Sequence, residues 1–238
     1  LDEVARGQVV SEPGLLEPTV SADVEVAWLP VAAPVEGQAA IEFLTGTAKR
    51  RARLAPIGAE SLRAGEVGFA RVHIDGEVVP LVPGDRFIAR GFSRNADSGS
   101  TIGGGIVLDV SPPRRRRSDP EVRRDLARLA TGESAEKLIV LIGRSGFHGV
   151  ESDVLRREAG LAAADFDGTL AVLVAKCEIA STTNHRWLHG DALEGLERRL
   201  LENLDAYHRA EPIRPGMPTS ALRASLPENV PRDTAELV

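Results

Sequence analysis

The chain has 238 residues, 29 Lys+Arg against 35 Asp+Glu and a formal net charge of −6, which gives it room for two ordinary domains and excludes a uniformly basic, nucleic-acid-coating protein. Only 4% of residues are aromatic, so the cores are built mainly from Val, Leu, Ile and Ala. The single cysteine, Cys177, excludes an intrachain disulfide, and there is neither an apolar run of membrane-span length nor a signal-peptide pattern, so a cytoplasmic chain with no membrane partner is predicted.

The chain begins at Leu1-Asp2-Glu3-Val4-Ala5-Arg6-Gly7 without an initiator Met and stops at Glu236-Leu237-Val238 in a helical pattern, which predicts a piece of a longer protein. From there to about Ser111 the apolar residues recur with period two between Gly and Pro turns. Val24, Val26 and Trp28 alternate with Asp23, Glu25 and Ala27. Ile41 and Phe43 lead into Thr45-Gly46-Thr47, and Ala48, Ala52, Leu54 and Ile57 continue beyond it. Phe69 to Asp75 alternates again. Pro83-Gly84-Asp85-Arg86-Phe87 makes a turn and a strand start, and Gly103-Gly104-Gly105 opens a last strand where two backbones approach closely. Short strands between turn residues predict an all-β barrel over residues 1–112.

Pro112-Pro113-Arg114-Arg115-Arg116-Arg117-Ser118 breaks the pattern. Stiff prolines and mutually repelling arginines predict a linker at 113–118, crossed by few contacts, between separately folding parts. The period then becomes helical. Asp119-Pro120 is a cap and first-turn pair, with Val122, Leu126 and Leu129 following. Further helices are predicted at 133–142, 151–158 and 163–175. A strand pair at 178–181 and 186–189 is joined by Thr182-Thr183-Asn184-His185. Helices followed by a polar-tipped hairpin describe a winged helix over 119–190. The order restarts at 191–238 with a long helix at 192–208, a loop, a short helix capped by Thr219 or Ser220, and a helix start near Pro231-Arg232. That is a second winged helix, incomplete.

Taken together, these signatures resemble the bacterial selenocysteine-specific elongation factors, translational GTPases related to elongation factor Tu. Arg6-Gly7 with Val9-Val10 looks like the start of the third domain of the elongation-factor-Tu family, and Thr45-Gly46-Thr47-Ala48 like that barrel's Gly-Thr-Ala turn. Pro83 to Phe87 and Thr101 to Gly105 follow in order. Tyr207-His208, Pro215-Gly216-Met217-Pro218 and Leu222-Arg223 resemble the opening of the second winged helix. The resemblance implies a multidomain fold, an all-β elongation-factor-Tu-like barrel followed by α+β winged-helix domains. It also implies selenocysteinyl-tRNA, the ribosome and, through further winged helices, a selenoprotein messenger-RNA hairpin as partners of a monomeric factor. GTP and Mg are implied for the full-length protein. This chain has no Gly-x-x-x-x-Gly-Lys-Ser/Thr loop, so no nucleotide binding, enzymatic activity or cofactor is expected of it.

The resemblance also suggests a tRNA-contacting set: Gln38, Thr45, Thr47, Lys49, Arg50 and Arg51 around one strand turn, and Arg94, Ser98, Ser100 and Thr101 in a polar loop. Two readings stand for Lys49-Arg50-Arg51, a clamp on stem phosphates or a solvated basic strand edge. For Arg94 to Thr101 they are backbone and hydroxyl contacts to ribose-phosphate, or a loop tip. Arg114 to Arg117 are read as a solvated hinge or as an RNA contact. Asp85-Arg86 is read as structural, with Arg86 pairing locally, and Gly103 to Gly105 as close packing. His185 and Arg186 sit on a wing and are read as structural, and Cys177 as a core residue. A DNA-binding winged-helix regulator with an N-terminal barrel is the rival function; it needs a basic recognition helix, and 163–175 has no Lys or Arg. An enzyme built on the barrel is a further rival, and no catalytic constellation supports it.

Overall fold

The N-terminal alternation closes into a barrel in the computed structural model, which describes residues 5–91, 99–214, 216–227 and 230–238. The strands are β1 (Pro18–Thr19), β2 (Ser21–Trp28), β3 (Val35–Glu36), β4 (Ala39–Thr45), β5 (Ala48–Ile57), β6 (Ser61–Leu62), β7 (Val67–Ile74), β8 (Val79–Pro80), β9 (Arg86–Arg90) and β10 (Thr101–Asp109). Six of them form the closed antiparallel barrel in the order β10-β2-β7-β5-β4-β9; β1 pairs with β8 and β3 with β6 outside it. One residue in two points inward. Val24, Val26, Ile41, Phe43, Leu54, Val72 and Phe87 are buried, and the Phe43 and Phe87 rings stack at 4.9 Å.

The seam between β10 and its neighbours depends on missing side chains. A Cβ on Gly103 would lie 2.7 Å from the Trp28 ring, and one on Gly104 2.7 Å from Phe87 O. One on Gly105 would fall inside the carbonyl of Glu25. The triplet is therefore a packing device, as its sequence suggested.

Outside the barrel wall, Asp23 and Asp109 lie directly opposite each other on β2 and β10 and are 1% and 3% exposed. Arg71, opposite Asp23 on β7, binds it with both arms, Nε to Oδ1 at 2.7 Å and Nη2 to Oδ2 at 2.8 Å. The hydrogen bond to Asp23 is the main reason that the Arg71 pKa is raised; burial opposes the rise, and the charges of Asp23 and Asp109 add to it. The arginine therefore stays charged across the whole working pH range.

Helix α1 (Pro120–Thr131) begins as expected, Asp119 Oδ1 accepting from Glu121 N at 3.0 Å, but it belongs with the barrel: the chain divides into units at Gly132/Glu133. The stretch 113–118 is fastened rather than loose. Gly58 N donates to Arg117 O at 2.9 Å, and Arg117 Nη1 donates to Gly37 O and Pro56 O, both at 3.2 Å. A guanidinium with five donors satisfies the carbonyls of Gly37, just after β3, and of Pro56, near the end of β5, and that outweighs repulsion along the arginine run.

The second unit, residues 133–238, begins with α2 (Ser134–Gly143), a short 3-10 turn, β11 (Val150–Glu151), α3 (Ser152–Ala159), α4 (Ala163–Ala175), β12 (Ile179–Ser181) and β13 (Arg186–His189). The sheet order is β11-β13-β12. This is a winged helix starting at α2, around a core of Leu138, Leu141, Ile142, Leu155, Phe166, Leu173 and Leu188. Gly160 ends α3 in the left-handed region (φ 62°). Then come α5 (Gly190–Ala210), α6 (Thr219–Ala224) and α7 (Arg232–Ala235). Pro218, not Thr219 or Ser220, is the residue flanking α6. Cys177 is exposed rather than in the core, since it follows the end of α4 with φ 58°.

The wing between β12 and β13 rests on α7. Asn184 Nδ2 donates to Asp233 Oδ2 at 3.2 Å. Burial pushes the Asp233 pKa up, but hydrogen bonds from Thr182, the Thr234 amide, Asn184 and its own amide outweigh it and leave the pKa lowered. A lowered carboxyl stabilises this contact above its unfolded value, and the contribution is lost as pH falls through the folded value. In an NMR titration, the Asp233 carboxyl is expected to titrate below the ordinary 3.8, with the Asn184 side-chain amide shifting in step. A midpoint at or above 3.8 contradicts the contact.

Candidate nucleic-acid interface

The turn between β4 and β5 is a two-residue hairpin, Gly46-Thr47, with Gly46 in the left-handed region (φ 52°) at the first central position. Both threonines that flank the glycine are engaged. Thr45 Oγ1 donates to Arg86 O at 3.0 Å, and Thr47 Oγ1 accepts from Gly7 N at 3.0 Å. Three segments far apart in sequence thus meet at one corner of the barrel. Asp85 closes its own turn, its carboxylate accepting from Val82 N at 2.9 Å. The guanidinium of Arg86 makes no ion pair among the described residues, so the expected local pairing is not found there.

Strand alternation separates the basic cluster. On β5, Ala48, Ala52 and Leu54 are buried, so Lys49, Arg51 and Arg53 take the outer face and Arg50 the inner one. Arg50 lies opposite Phe43 near the barrel's end, its side chain 23% exposed; it reaches Glu77 at 3.2 Å, and its Nε is buried without a partner. This corrects the grouping of Lys49, Arg50 and Arg51 as one outward patch. The signal was present in the sequence, in the same period that marks Ala48 and Ala52.

Outer positions on one strand are about 7 Å apart. Lys49, Arg51 and Arg53 therefore form a regular row of cations. Lys49 Nζ pairs with Glu42 Oε1 at 2.8 Å, and Arg53 Nε with Asp75 Oδ1 at 3.0 Å. The register carries the charge sideways: Arg51 faces Glu42 on β4, Glu42 faces Arg90 on β9, and Arg90 faces Thr101 on β10. Arg90 Nε donates to Gly99 O at 2.9 Å, and Gly91 N to Ser100 O at 2.9 Å. Ser100 and Thr101, both exposed, are thus held beside Arg90 and across the sheet from Arg51. Gln38 is exposed at the opposite end of β4 from the hairpin. Arg94 and Ser98 lie outside the described residues. The arrangement offers cations and hydroxyls on the barrel's outer wall, with two carboxylates, Glu42 and Asp75, paired to Lys49 and Arg53. Arg90 was missed because it joins the row only through pairing between strands.

The winged helix carries no such row. The outer residues of α4 include Ala164, Ala171, Val172 and Ala175, all exposed, and the helix has no Lys or Arg. Arg186 on β13 is taken up by Glu151 at 2.6 Å and by His148 O at 2.8 Å, so it serves the fold. A DNA-reading helix is not favoured. Among the described residues no His/Cys/Asp/Glu group is arranged to hold a metal, and no helix is long and apolar enough to cross a membrane.

Residues 201–238 match the sequence family described as elongation factor SelB, winged helix, the second such domain of that protein. Over 224 residues the chain is 29% identical to a selenocysteine-specific elongation factor from Desulfomicrobium baculatum, with 92% of this chain covered but only 34% of that protein. The chain therefore spans about a third of the length of this curated relative. In fold it is similar to a crystal structure of bacterial selenocysteine-specific elongation factor EF-Sec, with TM-score 0.62 and 14% identity over 99% of this chain and 35% of that one.

Proposed function

We propose, from the premise that this chain belongs to the family of selenocysteine-specific elongation factors, that it is a non-catalytic part of such a translation factor. Its barrel contributes to holding selenocysteinyl-tRNA. Its winged-helix half spans the path from the GTPase core toward the end that binds the selenoprotein messenger hairpin on the ribosome. GTP and Mg are assigned to parts of the factor outside this chain. The observation that carries the reading is the row Lys49, Arg51 and Arg53 on the outer face of β5, continued by Arg90 and Thr101. A duplex stem shows proteins mainly its phosphates and riboses, and a wall with regularly spaced cations suits that surface without reading bases.

The test is tRNA binding by fluorescence anisotropy at several salt concentrations. Lys49→Ala with Arg51→Ala is expected to weaken binding by roughly 1–3 kcal/mol, the range for hydrogen bonds to charged groups. The slope of log affinity against log salt should become shallower by about one to two, because each lost phosphate contact releases about one fewer counterion. Glu42→Gln should act the opposite way, since it frees Lys49 and removes a repelling charge from the wall. Unchanged affinity and slope in the double variant would leave the row as a solvated strand face.

A further inference from the structure

The arginine run beside the barrel has a groove of its own. An open groove of about 580 Å³ lies between Arg116-Arg117-Ser118 and the barrel residues Gly37, Pro56 and Glu60. Its basic wall is held in place: Arg117 gives one guanidinium nitrogen to Gly37 O and Pro56 O, while its carbonyl accepts from Gly58 N. Arg117 is thereby a structural anchor. It fixes the backbone from which Arg116 and Arg114 project, both exposed and neither with an ion pair among the described residues. Arg115 is 3.8 Å from Asp125 and partly neutralised. The carboxylate in the groove is Glu60, itself exposed, so the balance of charge there is positive.

Position gives the groove its meaning. Gly37 is followed by Gln38 and β4, and Pro56 lies on β5 three residues beyond Arg53. The outer row of cations therefore runs toward the strand ends where the groove opens. The groove sets the Arg116 guanidinium and the Ser118 hydroxyl against glycine, alanine and proline, and a guanidinium fork beside small residues suits a phosphate diester.

We propose that this groove is a second phosphate-binding site, at which Arg116 in the groove and Arg114, two residues before it on the same exposed segment, take the backbone of an RNA that already lies along Lys49, Arg51 and Arg53. The inference rests on the tRNA-binding reading of the barrel. An RNA strand following the wall arrives at Arg116 without leaving the barrel surface.

The test uses the whole chain and an RNA duplex of about a dozen base pairs, with a polyglutamate peptide as the competing acidic partner. Arg114→Ser with Arg116→Ser is compared with Lys49→Ala with Arg51→Ala, and Arg117 is left intact because it anchors the segment. The arginine variant is expected to bind the duplex about 5- to 20-fold more weakly at low salt, with a salt slope shallower by about one to two. Its urea midpoint should be unchanged. If only the Lys49/Arg51 variant loses affinity, the groove is no RNA site and the barrel reading stands. If neither variant loses affinity, both readings fall. A loss confined to the polyglutamate peptide would overturn the proposal in favour of an acidic protein partner.

Discussion

Gly105→Ala is expected to destabilise the barrel by about 3 kcal/mol or more, at the upper end of what overpacking costs. The added methyl would occupy the place of the Glu25 carbonyl, a ladder atom of the neighbouring strand that cannot swing aside as a side chain does. Relief requires β10 and β2 to part, and in a closed barrel that strains every other pairing. Gly76→Ala is the control. Gly76 has φ 84° with nothing near its missing Cβ, so only backbone strain of about 1–2 kcal/mol is expected there. Urea unfolding can be followed by Trp28, whose ring packs against Gly103, in a Trp187→Phe background that silences the other indole. Equal losses for the two glycine variants would mean that the seam is looser than its geometry.

Arg71→Ala is expected to cost about 3–5 kcal/mol, and more than Asp23→Ala. The asymmetry follows from the register. Asp23 and Asp109 face each other across β2 and β10, buried and of like charge, and Arg71 on the next strand binds Asp23 with two hydrogen bonds while its charge also reaches Asp109. Removing the arginine leaves two carboxylates opposed. Removing Asp23 leaves Arg71 still facing Asp109. Asp109→Asn in the Arg71→Ala background should recover part of the loss, because it keeps the acceptor for Ser111 N while deleting one charge. Chemical denaturation of the three variants beside the unaltered chain checks this. A larger loss for Asp23→Ala than for Arg71→Ala would show that the pair, not the triad, is the stabilising unit.

The barrel was legible because period two is a local property. Each run of Val, Ile and Phe declares its buried face before any partner strand is known. The same rule, applied strictly, would have turned Arg50 inward, and treating three adjacent cations as one patch hid this. What needs pairing stayed hidden. Arg90 enters the candidate site through Glu42 and Thr101, strand neighbours that no spacing in the sequence relates. Helix α1 announced its buried stripe at Val122, Leu126 and Leu129, yet a stripe says that a face is covered and not by what, so it was given to the winged helix instead of the barrel. Strand β11 is two residues long and has no periodicity to show. The arginine run looked like a free hinge because composition reports repulsion and does not report the carbonyls of Gly37 and Pro56 that one guanidinium can satisfy.

The corner at the β4–β5 hairpin has a bearing on how such a chain diverges. The glycine of Arg6-Gly7, the two threonines around Gly46 and the start of β9 at Arg86 read as separate signatures, yet two hydroxyls tie them into one object. A change at Thr47 strands the amide of Gly7, and a change at Thr45 releases the carbonyl of Arg86. Both ties end on main-chain atoms, so the side chain at position 86 is free to drift, while positions 45 and 47 are each held to a hydroxyl.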